Sequence, residues 1–232
     1  MTTTRAFFRL WLPAFLAAAA LFTLAPGIDV AVTRAFWGGS YDQWPYNYVD
    51  WAHWLRWFVG QASWLPLVAA GALALAGLFG VARRSGLDLR AFAFLALAYA
   101  LGPGLLVNAL LKIHWGRARP YAIAEFGGSD TFTPALIPSD AGGAAFVSGE
   151  VSLAAAAGAI VLVLAGPWRR AAAAYCLAIT ATMSFLRIAQ GGHFLSDCVF
   201  AALFTWLCGW IAWAIVYRVP WPGAAASGSR EA

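Results

Sequence analysis

Apolar runs of helix length alternate with short polar islands along this chain. The runs span about Leu10–Leu24, Phe58–Val81, Ala91–Leu111, Ala144–Ala165, Ala171–Leu186 and Cys198–Tyr217, each bounded by charge or by Gly/Pro clusters. A membrane-crossing helix needs about 20 mostly apolar residues. The pattern therefore predicts an all-α, six-transmembrane-helix bundle. Three islands interrupt it: KIHWGRARP (Lys112–Pro120), FVSGE (Phe146–Glu150) and RIAQGGHFLSD (Arg187–Asp197). Charge so close to apolar runs calls for a chemical reason.

Composition supports the membrane reading. Of 232 residues, 62% are hydrophobic and 11% charged, where a soluble domain carries about 25% charged residues. So few charges could not cover a core of this size in water. The chain is expected to form one membrane-embedded domain over 1–232, with residues 223–232 as a short disordered tail. Arg5 and Arg9 precede the first run as in a signal peptide, but Pro26 after Thr23-Leu24-Ala25 is a poor cleavage context, so an uncleaved anchor is expected. The net charge of +5 forms no basic stripe interleaved with aromatics, which argues against nucleic acid and for a membrane phospholipid or glycolipid substrate. Cys176, Cys198 and Cys208 all lie in apolar runs without metal-site spacing, so neither a disulfide framework nor a metal or other cofactor is expected. No obligatory protein partner is evident.

Lys and Arg set the expected direction. With a cytoplasmic N-terminus, Arg5, Arg9, Arg83, Arg84, Arg90, Arg169, Arg170, Arg218 and Arg230 fall inside, nine of fifteen. Arg34, Arg56, Lys112, Arg117, Arg119 and Arg187 fall outside, and four of these six belong to islands. Without the islands the bias is nine to two, in line with the positive-inside rule. The expected location is the inner membrane, with both termini cytoplasmic and all three islands on the periplasmic face. The outer stretch from Phe36 to Phe58 carries Trp37, Trp44, Trp51, Trp54 and Trp57. It reads as an interfacial aromatic belt.

The islands hold what phosphate monoester chemistry requires. A phosphate dianion needs fixed cationic donors, and Lys112, Arg117, Arg119 and Arg187 can supply them. Ser148 and the amides of Gly149 and Glu150 open a helix, whose N-terminus favours anions. His193 is the candidate nucleophile. Asp197, four residues on, shares its face on a helical turn and can orient one ring nitrogen. No step in this scheme requires a metal.

Lys112-x6-Arg119-Pro120, Ser148-Gly149 and Arg187-x5-His193-x3-Asp197 resemble the three-part signature of the type 2 phosphatidic acid phosphatases. The resemblance covers about Ala91 to Tyr217. It implies a phosphohistidine intermediate on His193. It also implies phosphate binding by Lys112, Arg119, Ser148, Gly149 and Arg187, with Asp197 orienting the histidine. The second motif departs from the family: Val147-Ser148-Gly149-Glu150 stands where Pro-Ser-Gly-His is usual, so Glu150 replaces the histidine that protonates the leaving group. Glu150 is expected to act as that acid in the bound complex, because an alkoxide leaving group needs a proton. If ionised, it would instead be a base toward water or a partner for the cations. The stretch from Phe126 to Glu150 further resembles a bacterial subgroup that removes phosphate from lipid A.

The expected activity is thus a metal-independent lipid phosphatase, a phosphoric monoester hydrolase. Its substrate classes are lipid A-like, phosphatidic acid-like or polyprenyl diphosphate. The alternatives are a lipid phosphotransferase with the same intermediate and a non-catalytic lipid-binding or transport protein. Against the last, no discontinuous-helix pair or inverted repeat is visible. Glu125, Asp130 and Asp140 read as solvated loop acids. His53 reads as interfacial and His114 as a bystander inside the first motif.

Overall fold

The computed structural model describes residues 3–40, 43–79 and 88–218. Val81, Arg83, Arg84, Arg230 and the tail at 223–232 lie outside the described residues. Helices dominate in chain order: α1 (Thr3–Leu24), α2 (Gly27–Arg34), α3 (Asp50–Ala62), α4 (Leu65–Leu78), α5 (Leu89–His114), α6 (Gly149–Ala156, tightening through Ala157–Leu162), α7 (Gly166–Ala189) and α8 (Leu195–Arg218). Among the described residues the sole β pairing is an isolated bridge between Ile123 and Asp130.

Among the described residues, five stretches are long and apolar enough to cross a membrane: Thr4–Leu24, Asp50–Leu78, Leu89–His114, Gly166–Ala189 and Leu195–Tyr217. The remaining expected span, Ala144–Ala165, is a shorter apolar helix, Gly149–Leu162. It starts late because Ser148 is extended (φ −68°, ψ 116°) as its N-cap. The preceding Ala145, Phe146 and Val147 are fully buried without being helical. The second span starts early, at Asp50 rather than Phe58. The polar residues there occupy a helix face, with Ala52 and Val59 buried and Trp51, Trp54 and Trp57 exposed. A 3.6-residue period hides such a face inside a stretch that reads as loop by polarity.

Burial ranks the spans. Half of the most apolar window of α8 is buried against 6% for α1, so α8 is the central post and α1 leans on the periphery. Small residues let α8 approach its neighbours. A Cβ on Gly102 of α5 would sit 3.1 Å from Thr205, and one on Gly158 would sit 3.2 Å from the Trp206 indole nitrogen. Ser152 and Thr205 share a hydroxyl hydrogen bond of 2.6 Å. In α5 the backbone widens over Ala100–Leu111, around Pro103. Proline has no N–H to continue the ladder, and Asn108 Nδ2 donates to the Pro103 carbonyl at 2.7 Å.

Candidate active site

The catalytic loop is pinned at both ends by helix-terminus chemistry. At the end of α7, Gly191 N–H donates to Ile188 O at 2.9 Å and Gly192 N–H to Arg187 O at 3.0 Å. This pair of reversed bonds is a Schellman cap, which needs a left-handed residue. Gly191 provides it at φ +66°, and a side chain there would collide with the Trp44 ring. Trp44 is consequently buried rather than part of the aromatic belt. A Cβ on Gly192 would collide with the Arg187 guanidinium, so this glycine admits that group to the site. At the start of α8, Asp197 Oδ2 reaches back to accept the Phe194 N–H at 2.8 Å. That is one half of a capping box, with the acid placed in the favourable first turn. His193 lies between the two caps.

His193 is 2% exposed. Its Nδ1 lies 2.8 Å from the Ala145 carbonyl, and a carbonyl can only accept. Nδ1 therefore carries the proton, and Nε2 keeps its lone pair for attack. The Asp197 carboxylate is further off, 3.8 Å from Nδ1. The expected orienting hydrogen bond thus goes to Ala145 instead, and Asp197 acts on the ring through charge. Burial pushes His193 below its ordinary pKa of 6.5, opposed by Asp197 and reinforced by Arg187 and Arg119. The imidazole is neutral at pH 7, as a nucleophile requires.

The other expected residues separate into two groups. Ser148, Gly149, Glu150, Arg187, Lys112 and Arg119 converge around His193. Lys112 interacts electrostatically with Arg119, Glu150 and Arg187, and Arg119 with Arg187 and His193. A Cβ on Gly149 would lie 2.7 Å from Asn108 Oδ1, which explains the glycine. Two donors in this group are buried without a hydrogen-bond acceptor: the Ser148 hydroxyl and the Arg187 Nε–H. Leaving buried donors unmet costs about 1–3 kcal/mol each, so the site is built for an acceptor-rich ligand such as phosphate. The free first-turn amides of α6 add to the same attraction.

Arg117 does not join them, contrary to expectation. Its guanidinium is fully buried beneath the site. It bonds Asp197 Oδ1 at 2.5 Å, Asp29 Oδ2 at 2.9 Å, Ser196 Oγ at 2.9 Å and Thr133 O at 2.9 Å. It also lies over the Phe194 ring, 4.5 Å from the centroid. With four of its five N–H groups engaged in this buried network, Arg117 is placed to hold Asp197 rather than phosphate. Asp29 completes this buried network by accepting from Ser196 N at 2.8 Å and Ser196 Oγ at 2.5 Å.

Glu150 sits between two arginines. Its Oε1 is 2.9 Å from Arg56 Nε, and its Oε2 is 2.9 Å from Arg187 Nε. The Arg187 contact is an ion pair off the N–H direction, which is why that N–H still lacks an acceptor. Two guanidinium groups favour the carboxylate over the acid. The geometry thus turns Glu150 away from the proton-donor role expected of it.

Sequence reasoning missed Asp29, Arg56, Gln190 and Ala145. Asp29 had a faint signal, a lone acid within Gly27–Val32, where no other residue carries charge. The Ala145 contribution is a backbone carbonyl and has no side-chain signature.

Residues 92–221 match the PAP2 superfamily, more than half of the chain. The chain belongs to the PAP2 superfamily. Within that superfamily it is similar to the lipid A 4′-phosphatase of Francisella tularensis subsp. novicida, at 30% identity over 203 residues, covering 85% of this chain and 90% of the relative. It is also similar to the lipid A 4′-phosphatases of Rhizobium leguminosarum (36% over 119 residues) and Rhizobium etli (34% over 122 residues). Those two are matched over 48% and 44% of their own length. No solved structure matches. Membership and relatives together make this PAP2 protein a membrane lipid phosphatase, an enzyme that hydrolyses phosphate monoesters.

Proposed function

We propose that this PAP2 protein removes the 4′-phosphate of a lipid A-type glycolipid through a phosphohistidine on His193. The observation that carries the chemistry is the buried His193, fixed by Ala145 and facing donors that lack acceptors. The substrate rests on similarity to the Francisella enzyme along 85% of this chain, well beyond the superfamily segment. In this reading Nε2 attacks phosphorus. Lys112, Arg119, Arg187, Ser148 and the α6 amides hold the non-bridging oxygens. The Glu150 carboxylate then serves as base toward the water that hydrolyses phospho-His193. The face is periplasmic and the membrane is the inner one, a reading supported by the Lys/Arg distribution.

The test is phosphate release by purified protein from bisphosphorylated lipid A, phosphatidic acid, phosphatidylglycerophosphate and undecaprenyl diphosphate. Each is supplied singly and without an acceptor lipid. The expected result is release from lipid A in preference to the other three, with mass spectrometry placing the loss on the distal sugar. Preference for phosphatidic acid would overturn the substrate. Phosphate released only when an acceptor lipid is added, and recovered on that acceptor, would turn the enzyme into a phosphotransferase.

A further inference from the structure

Arg56 lies outside the superfamily segment and belongs to none of the three islands, yet its guanidinium enters the site. Its Nε donates to Glu150 Oε1 at 2.9 Å and its Nη1 to Gln190 Oε1 at 3.4 Å. Arg187 uses the same two partners, Glu150 at 2.9 Å and Gln190 Oε1 at 3.3 Å. Two guanidinium groups from different helices therefore straddle one carboxylate and one amide.

Their burial differs. The Arg187 side chain is 7% exposed, whereas that of Arg56 is 35% and that of Glu150 is 40%. His193 lies on the floor with Arg187, and Arg56 stands at the mouth. Its helix, α3, turns Trp54, Trp57 and Phe58 outward at 58–68% exposure. In-line displacement puts the entering nitrogen and the leaving oxygen on opposite sides of phosphorus. With the nucleophile on the floor, the leaving oxygen points to the mouth. Glu150, ionised by its two arginines, has no proton to give there.

We propose that Arg56 is a catalytic residue that binds the leaving oxygen. This rests on the phosphohistidine reading above. As the bond from Nε2 to phosphorus forms, the bond from phosphorus to the lipid oxygen breaks and leaves its electron pair on that oxygen. Arg56 stabilises the developing charge with its N–H groups and supplies no proton. The oxygen takes its proton from water and leaves hydroxide. Glu150 then removes a proton from the water that cleaves the N–P bond of phospho-His193, and that hydroxide restores the Glu150 carboxylate, so one water is consumed overall. Glu150 and Gln190 hold the guanidinium at the mouth.

The test compares Arg56→Gln and Arg56→Lys with wild type on bisphosphorylated lipid A and on a nitrophenyl phosphate, whose oxygen leaves without help. Arg56→Gln lowers kcat on lipid A by about a hundredfold, the scale seen when one oxyanion donor is removed, and on the aryl ester by no more than about fivefold. Arg56→Lys keeps the charge and falls between. The double variant Arg56→Gln/Glu150→Gln is no faster on lipid A than Arg56→Gln. Equal loss on both substrates, or recovery of the lipid A rate in the double variant, would reduce Arg56 to a counter-charge for Glu150 and overturn the proposal. If Arg56→Gln does not fold, the contrast between the two substrates in Arg56→Lys decides the same question. Wild-type protein that hydrolyses neither ester would defeat the phosphatase reading itself, a separate outcome.

Discussion

At the residue scale, one ring carries the proposed chemistry, and its protonation is set by surroundings rather than by type. His193 is surrounded by protein, and burial penalises its charged form more than Asp197 favours it. The sign follows directly. A lowered pKa puts the balance between neutral and charged ring below pH 6.5, and acidification beyond that point protonates Nε2 and removes the proposed nucleophile. NMR titration of the imidazole signal that disappears in His193→Ala reports this without interference from the substrate phosphate. The midpoint is expected below pH 6.5; a midpoint at or above that value would contradict the buried environment. Turnover by His193→Ala is expected to be absent, and activity above a few per cent of wild type would remove His193 as nucleophile. Gly192 belongs to the same scale. Gly192→Ala puts a methyl group where the Arg187 guanidinium lies, so KM for lipid A is expected to rise at least about tenfold, the loss of one charge-assisted contact. An unchanged KM would mean that Arg187 does not bind the substrate.

At the element scale, the site is an arrangement of helix ends. A Schellman cap closes α7 and half of a capping box opens α8, so five residues, Gln190 to Phe194, carry the proposed nucleophile between two fixed points. Short α2 adds a third. Through Asp29 it accepts from Arg117 and Ser196 and so ties the segment after α1 to the start of α8. Removing one partner of a buried ion pair costs about 3–5 kcal/mol, because the other charge is left uncompensated. Asp29→Ala is expected to lose that much, read as a large fall in melting temperature in detergent. Asp29→Asn, which keeps one acceptor oxygen, is expected to lose less. Melting temperatures equal to wild type in both variants would show that α2 does not anchor the catalytic loop.

At the scale of the whole molecule, helices that alternate in direction bring the three islands to one end of the bundle. The proposed orientation puts that end, with the loop between α5 and α6, in the periplasm. Ser129 is an exposed position in this loop. Cys176, Cys198 and Cys208 are buried and give little background. A Ser129→Cys variant is expected to react with a membrane-impermeant maleimide in intact spheroplasts. Labelling that appears only after lysis would reverse the topology.

Much of this protein was legible in its sequence because a bilayer imposes a strict rule. Backbone polar groups in hydrocarbon must bond within the segment, so long apolar runs become helices. Five of the six expected runs are helices of spanning length, and the sixth is a shorter helix, Gly149–Leu162, that begins after the extended Ser148 and ends before Ala165. Polar islands in such a chain carry a cost, so Lys112, Arg119, Ser148, Glu150, Arg187, His193 and Asp197 stood out against their surroundings. Sequence could not divide labour among like charges. Arg117 and Arg119 are two residues apart, yet one is locked between Asp29 and Asp197 while the other acts on His193 through its charge. Nor could it find Arg56, whose helical face shows only when α3 packs beside α6, or the Ala145 carbonyl, which has no residue signature. Local pattern fixes which segments cross and which residues bear charge. The partner of each charge is fixed by contacts between residues far apart in the chain, and only the folded bundle brings those together.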